Sequence, residues 1–122
     1  MTELAKALNS FWSSFGIPAY IEENVPEEAQ LPYITYTLVE PDWRDTVTHQ
    51  ARVWYRTNSV AVINQKLDEI RFAISSAGKM VRSDSGFLWL KRGKPFIQFQ
   101  PYDADPNIKV GYINIELDVF LK

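Results

Sequence analysis

The chain has no cysteine, which excludes disulfides, thiolate metal sites and a thiol nucleophile, and is compatible with an intracellular compartment. A single histidine, His49, leaves little material for imidazole-based catalysis. Uninterrupted apolar runs stop at four residues, at 60–63 and 87–90, far below the roughly 20 that a membrane-spanning helix needs. The chain is therefore expected not to enter a membrane. No charged-then-apolar leader with a small-residue cleavage site opens it, so no secretory signal is expected. Phosphate-cradling glycine loops are missing, as is the G-x-S-x-G elbow of serine hydrolases.

What the sequence does contain is apolar material in a compact length. In 122 residues, 46% are hydrophobic and 14% aromatic, enough to build one core, so residues 1–122 are expected to form one domain and not a disordered chain. The formal net charge of −2 hides a segregation. Residues 7–43 carry six acids (Glu22, Glu23, Glu27, Glu28, Glu40, Asp42) and no base. Residues 44–94 carry ten bases (Arg44, Arg52, Arg56, Lys66, Arg71, Lys79, Arg82, Lys91, Arg92, Lys94) against four acids. Such blocks often serve solubility alone; kept apart in space, they give a subunit an acidic side and a basic side, suited to a head-to-tail contact with its own copies.

Hydrophobic periodicity predicts an α+β domain. Leu4, Leu8, Phe11, Trp12 and Phe15 share one face of a helix over residues 2–15, with Thr2 as its cap and Gly16 and Pro18 as its stop. An acidic connector follows over 19–32. Residues 33–39 are dense in β-branched and aromatic side chains and read as a strand. After a turn at 41–45, residues 46–56 alternate, with Val47, Ala51, Val53 and Tyr55 on one side; Trp54 breaks the pattern. Val60, Ile63, Leu67, Ile70 and Ile74 mark a second helix over 58–77, capped by Asn58 or Ser59 and ended by Gly78. Strands at 87–91 and 96–100 flank Arg92-Gly93-Lys94-Pro95, which reads as a hairpin connection. A polar loop at 101–107 precedes a last alternating strand at 113–121. The expected fold is an antiparallel-rich sheet of about five strands with two main helices packed on one face.

Candidate chemical sites are sparse. His49 lies on the apolar side of its strand, where a packed core imidazole is the expected role, and its grouping with Asp42 and Asp45 matches no metal-ligand spacing. Asp103-Ala104-Asp105-Pro106-Asn107 copies the start of a calcium loop, but Ile108 and Asn114 stand where such a loop needs Gly and Glu, so an exposed turn is expected. Carboxylate neighbours such as Glu22 and Glu23 are expected to be solvated. Lys79, Arg82, Lys91, Arg92 and Lys94 lie near Phe87, Trp89 and Phe96, the ingredients of a single-strand nucleic-acid platform, against which stands a pI of about 5.4. No catalytic residue, cofactor or metal is expected.

Val53-Trp54-Tyr55-Arg56-Thr57-Asn58-Ser59, running into Lys66-Leu67-Asp68-Glu69-Ile70, resembles the strand-to-helix core of the tail terminator (tail completion, or minor capsid) proteins of long-tailed bacteriophages. Arg92-Gly93-Lys94-Pro95-Phe96-Ile97-Gln98, the loop Asp103-Ala104-Asp105 and Tyr112-Ile113-Asn114 are similar to that family's C-terminal half, and Ile17-Pro18-Ala19-Tyr20 and Leu31-Pro32-Tyr33-Ile34-Thr35-Tyr36 to its N-terminal strands. The chain departs from the pattern at Val110-Gly111, where a basic residue is expected.

The resemblance implies a non-enzymatic virion protein. Its subunits form a homo-oligomeric ring, commonly a hexamer, at the head-proximal end of the tail tube. That ring ends tube growth and meets the head connector protein. For this length the radius of gyration is about 14 Å, and six such bodies in a circle leave an opening through which DNA passes without specific binding. Glu22, Glu23, Glu27 and Glu28 of one copy are expected to face Arg82, Lys91, Arg92 and Lys94 of the next, and Trp43, Tyr102, Asp103 and Asp105 to dock tube or connector. The alternative is a small nucleic-acid or regulatory binding module.

Overall fold

The computed structural model describes residues 2–41 and 45–121. Its elements are helices α1 (Glu3–Trp12) and α2 (Val60–Ala73) and strands β1 (Ala19–Ile21), β2 (Tyr33–Tyr36), β3 (Thr46–Arg56), β4 (Lys79–Arg82), β5 (Phe87–Pro101) and β6 (Ile108–Phe120). The strands form one sheet in the order β1-β2-β3-β6-β5-β4, antiparallel except for the β1–β2 pair. The class is the expected one, α+β with an antiparallel-rich sheet. Six strands are present rather than about five, because the acidic connector holds the short β1 and the segment after α2 holds β4, while the strands expected at 87–91 and 96–100 are one, β5.

Register fixes which residues meet. His49, Ala51 and Val53 of β3 stand opposite Ile115, Ile113 and Gly111 of β6, while Ile34 and Tyr36 stand opposite Val53 and Ala51. This set is buried and continues through Leu117, Leu90 and Leu88. Both helices cover it. From α1 come Leu4, Leu8, Phe11 and Trp12, and from α2 come Ile63, Leu67 and Ile70, all buried. Each such aliphatic side chain contributes about 1.5–3 kcal/mol on leaving water. Gly111 is what lets α2 approach, since a Cβ there would come within 2.9 Å of a Leu67 methyl. The departure from the phage pattern at this position thus coincides with close helix-to-sheet packing.

Local chemistry sets the helix ends. Thr2 Oγ1 accepts from the Ala5 amide at 3.1 Å, and α1 passes into a 3-10 turn over Ser13–Phe15. At the start of α2, Ser59 occupies the cap position but makes no side-chain cap bond; Thr57 Oγ1 instead accepts from the Ser59 amide at 3.0 Å. The far end of α2 is closed by Arg92, whose guanidinium donates to the Ile74 and Arg71 carbonyls at 2.7 and 2.8 Å. A cation there also suits the negative end of the helix dipole. Lys66 donates to the Phe15 carbonyl at 2.6 Å and joins the two helical segments.

The expected hairpin at Arg92-Gly93-Lys94-Pro95 is corrected. Residues 87–92 and 97–101 belong to one strand, β5, and both halves pair with β6. Between Arg92 and Ile97 the chain advances five positions while β6 advances two, from Ile115 to Ile113, so the Gly-Lys-Pro stretch bulges out of the ladder. Pro95 has no amide to give the ladder, and a Cβ on Gly93 would lie 2.7 Å from the Asn114 carbonyl oxygen, so glycine is required where β6 presses in. The true hairpin turn is at 102–107. β2 also ends at Tyr36, short of residue 39, and β6 begins at Ile108, earlier than expected. β4 pairs only with Phe87, Leu88, Trp89 and Leu90, so no described strand covers the outer half of β5.

Gly93→Ala is expected to lower stability by about 1–3 kcal/mol through this overpacking. Lys94→Ala, exposed beside it, is expected to stay within about 0.5 kcal/mol of the parent. Urea midpoints compared at equal m-value check both.

Candidate functional site: the open sheet face and its two edges

Because both helices lie on one side, the other face of the sheet is uncovered, and the sequence furnishes it unevenly. Near the β1 edge it is aromatic. Tyr20, Tyr33, Trp54 and Tyr102 form a row with successive ring centroids 5.7, 6.4 and 5.5 Å apart. Trp54, which breaks the apolar alternation of β3, belongs to this open face and donates to Thr35 Oγ1 at 2.9 Å. Arg52 lies over the Tyr112 ring at 4.9 Å and pairs with Glu22 at 2.5 Å. The middle of the face is polar: Gln50 donates to Asn114 Oδ1 at 3.2 Å, and Asn114 donates to the Pro95 carbonyl at 3.0 Å. Toward the far end Asp118 accepts from Lys91 at 2.9 Å and also binds Thr46, and Phe87 stacks on Phe120.

A groove of about 440 Å³ runs along the aromatic row, walled by Ala29, Leu31, Tyr33, Trp54, Tyr102 and Ile108. Its rim includes Arg56, which pairs with Asp105 at 2.9 Å. Arg56 also helps hold the Asp105 carboxyl below the usual carboxylate range, though the larger cause is the Asn107 amide donating to it. This turn is the segment that copies the start of a calcium loop; its first two acids here serve local bonding and solvent. Among the described residues, no three His, Cys, Asp or Glu side chains converge as metal ligands.

The strand order places part of each charge block at opposite edges, while Arg52 and Arg56 of the basic block lie on β3, near the acidic side. Glu22 and Glu23 follow β1 at one edge of the sheet, and Lys79 and Arg82 lie on β4 at the other. Five inter-strand spacings, roughly 24 Å measured along the sheet, lie between these edges, and the sheet curls so that α1 touches both β1 and β4. Among the expected contact residues, Glu23, Glu27, Glu28, Arg82 and Lys94 make no ion pair with described residues, whereas Glu22 is held by Arg52 and Lys91 by Asp118. Arg92 is spent within its own chain, capping α2 and lying 4.6 Å over the Phe96 ring. That helix-closing role is invisible in sequence because it depends on β5 passing the end of α2, eighteen residues away from Ile74 in the chain. Tyr102 and Asp103 are exposed on the β5–β6 turn, with Asp105 half-buried beside them. Trp43, the other expected docking residue, lies outside the described residues, as do Asp42 and Arg44.

His49 is fully buried beneath α1, and its Nε2 accepts from the Trp12 indole N–H at 2.8 Å. Accepting there requires the neutral ring with its proton on Nδ1, where the Thr37 backbone is the nearby group and the geometry falls short of a full hydrogen bond. Burial pushes this imidazole down to about 4, offset weakly by the Thr37 backbone.

No protein-family model matches the chain, and no curated protein matches it in sequence. Its fold is similar to that of a chain in the virion of a native gene transfer agent particle, at 13% identity and a TM-score of 0.55. The match covers 98% of this chain and 100% of that one. No helix among the described residues is long and apolar enough to cross a membrane.

A histidine whose folded value is depressed stabilises the fold fully above its unfolded value near 6.5. That contribution is lost as pH falls toward 4. The loss over this window is expected to be about 3 kcal/mol, at 1.36 kcal/mol per unit. His49→Gln, which keeps an acceptor for Trp12 but cannot titrate, is expected to flatten it. Urea unfolding at pH 7, 5.5 and 4.5 checks the slope; Glu3, held low by Ser83 and Ser85, acts only at the acid end.

Proposed function

We propose that this protein is a non-enzymatic virion component that assembles as a ring of its own copies, hexameric in the simplest case. The ring caps the head-proximal end of a phage-type tail tube, ends tube growth and meets the head connector. Its place is the tail–head junction, and DNA passes through its opening without specific binding. The observation that carries this reading is the separation of opposite charges onto opposite edges of one sheet. Such a subunit presents different surfaces at its two ends, so its self-contact is heterologous and closes into a ring when the rotation per copy divides a full turn. The likeness in fold to a gene transfer agent virion chain, over the full length of both, supports the same class of role.

In this reading the free carboxylates Glu23, Glu27 and Glu28 of one copy face Arg82 and Lys94 of the next. Glu22, Lys91 and Arg92, engaged within their own chain, contribute field rather than direct pairing. The exposed turn bearing Tyr102, Asp103 and Asp105 is offered to the tube or connector, as recognition commonly falls to loops on a rigid sheet. A second reading, a small nucleic-acid module, draws on the row of rings with Arg52 and Arg56 alongside, which can stack unpaired bases. Steep salt dependence of oligonucleotide binding by a monomeric chain would favour it.

Glu27→Lys with Glu28→Lys is expected to weaken self-association several-fold, most at low salt, where charges at an interface rim are least screened. Arg82→Glu alone is expected to do the same, and mixing the two variants to recover part of the loss. Sedimentation mass against chain concentration is the measurement; masses that ignore all three changes contradict the charge-edge contact.

A further inference from the structure

β1 and β4 close the described sheet on its two sides, and they do not pair with each other within one chain. Their directions follow from the ladder. β1 is parallel to β2, and four antiparallel steps then lead through β3, β6 and β5 to β4, so β1 and β4 run the same way. Which main-chain groups face outward is fixed too. The Ile34 amide donates to the Pro18 carbonyl at 2.8 Å, and alternate residues of a parallel ladder face the partner strand. Tyr20 therefore faces β2, while Ala19 and Ile21 turn N–H and C=O outward. On the other side the Ser83 amide donates to the Gly86 carbonyl at 2.9 Å, which assigns Val81 and Lys79 to β5 and turns Met80 and Arg82 outward. Side chains divide by the same pairing. Met80, opposite Trp89, shares the open face with Tyr20; Val81, opposite buried Leu88, shares the covered face with Ile21, opposite buried Tyr36.

We propose that β4 of one copy adds to β1 of the next as a parallel strand, with Lys79, Met80 and Val81 opposite Ala19, Tyr20 and Ile21. Copies related by rotation about an axis along the mean strand direction keep both strands pointing the same way, so the parallel sense is the one a head-to-tail ring requires. In this register the Met80 amide donates to the Ala19 carbonyl, the Ile21 amide to the Met80 carbonyl and the Arg82 amide to the Ile21 carbonyl. A slip of one residue loses all three bonds, because the outward groups of the two strands then fall out of step. A slip of two keeps the ladder but sets Met80 against Glu22 in one direction and Ser83 against Ile21 in the other. Only the unslipped pairing lays Met80, 39% exposed, on the Tyr20 ring and Val81 on Ile21. It also sets Arg82, free of ion pairs among the described residues, level with Glu22 and next to Glu23. Strand addition of this kind takes affinity from the main chain and specificity from the side chains on alternate faces. The contact rests on the ring reading and gives its register.

The lack of cysteine makes the register directly readable, because any introduced thiol is unique. Directly opposite residues of neighbouring strands lie about 5 Å apart at Cα, within disulfide range. Full-length Tyr20→Cys and Met80→Cys chains, mixed and mildly oxidised, are expected to give a disulfide-linked dimer. Ala19→Cys with Met80→Cys, whose side chains fall on opposite faces, is expected to give at most about a tenth as much. If Tyr20→Cys loses the parent's circular dichroism, Ile21→Cys with Val81→Cys reads the same register from the covered face. Met80→Pro removes an outward amide and leaves the β4–β5 ladder its bonds. Its melting temperature is expected to match the parent's, while its self-association by sedimentation weakens at least about tenfold. A wild-type chain that associates, with Tyr20 and Met80 positions cross-linking no better than Ala19 and Met80, overturns this contact and leaves the ring reading standing. A wild-type chain that stays monomeric across the whole concentration series overturns both.

Discussion

One-sided burial is the constraint on which this structure depends. Two helices are available to cover six strands, and both are laid on the same face, so the apolar residues of every central strand must point one way. Period-two alternation in β3 and β6 meets that demand: His49, Ala51 and Val53 on one strand interlock with Ile115, Ile113 and Gly111 on the other. A slip of one residue would send all of them to solvent, and the cost of exposing such a set far exceeds the few kcal/mol of net stability typical of a domain this size. The Trp12–His49 hydrogen bond then fastens α1 at the middle of that face, at the expense of an imidazole that must stay neutral.

The same constraint decides which surfaces remain for contact. With the covered face committed to the core, these are the open face, the edges and the outer side of α2. Charge pairing on the open face is largely internal, with Arg52 on Glu22, Arg56 on Asp105 and Lys91 on Asp118, and exposed pairs of this kind are each worth about 0–1 kcal/mol. Their effect is to leave the open face near neutral and to confine unbalanced charge to its margins.

Much of the layering was legible in sequence, because helical and strand periodicity report directly on which face is buried. The stripe Ile63, Leu67, Ile70 and the alternation of β6 needed no structure to be seen. Three features were not legible. The Gly93-Lys94-Pro95 bulge carries the same residues as a tight turn, and only the pairing of both flanks with β6 distinguishes them. β1 and β4 are three and four residues long, too short for a period to register. Trp54 looked like a flaw in an apolar alternation until its neighbours Tyr33 and Tyr102, far apart in sequence, were brought beside it. Of the site residues, the acidic and basic blocks could be read as blocks, but which members remain unpaired depends on cross-strand partners that no local pattern encodes.

The outer half of β5 shows how such a molecule guards against indiscriminate growth. Beyond Leu90 its main-chain groups face no described strand, and bare ladder positions of this sort invite stray polypeptides to zip on as amyloid-prone templates. Proline interrupts the stretch at Pro95 and ends it at Pro101, and neither can donate an amide to an intruder. Any adventitious strand is therefore held to a few residues, too short a zipper to persist. The chain is in this way a poor seed for unregulated strand addition.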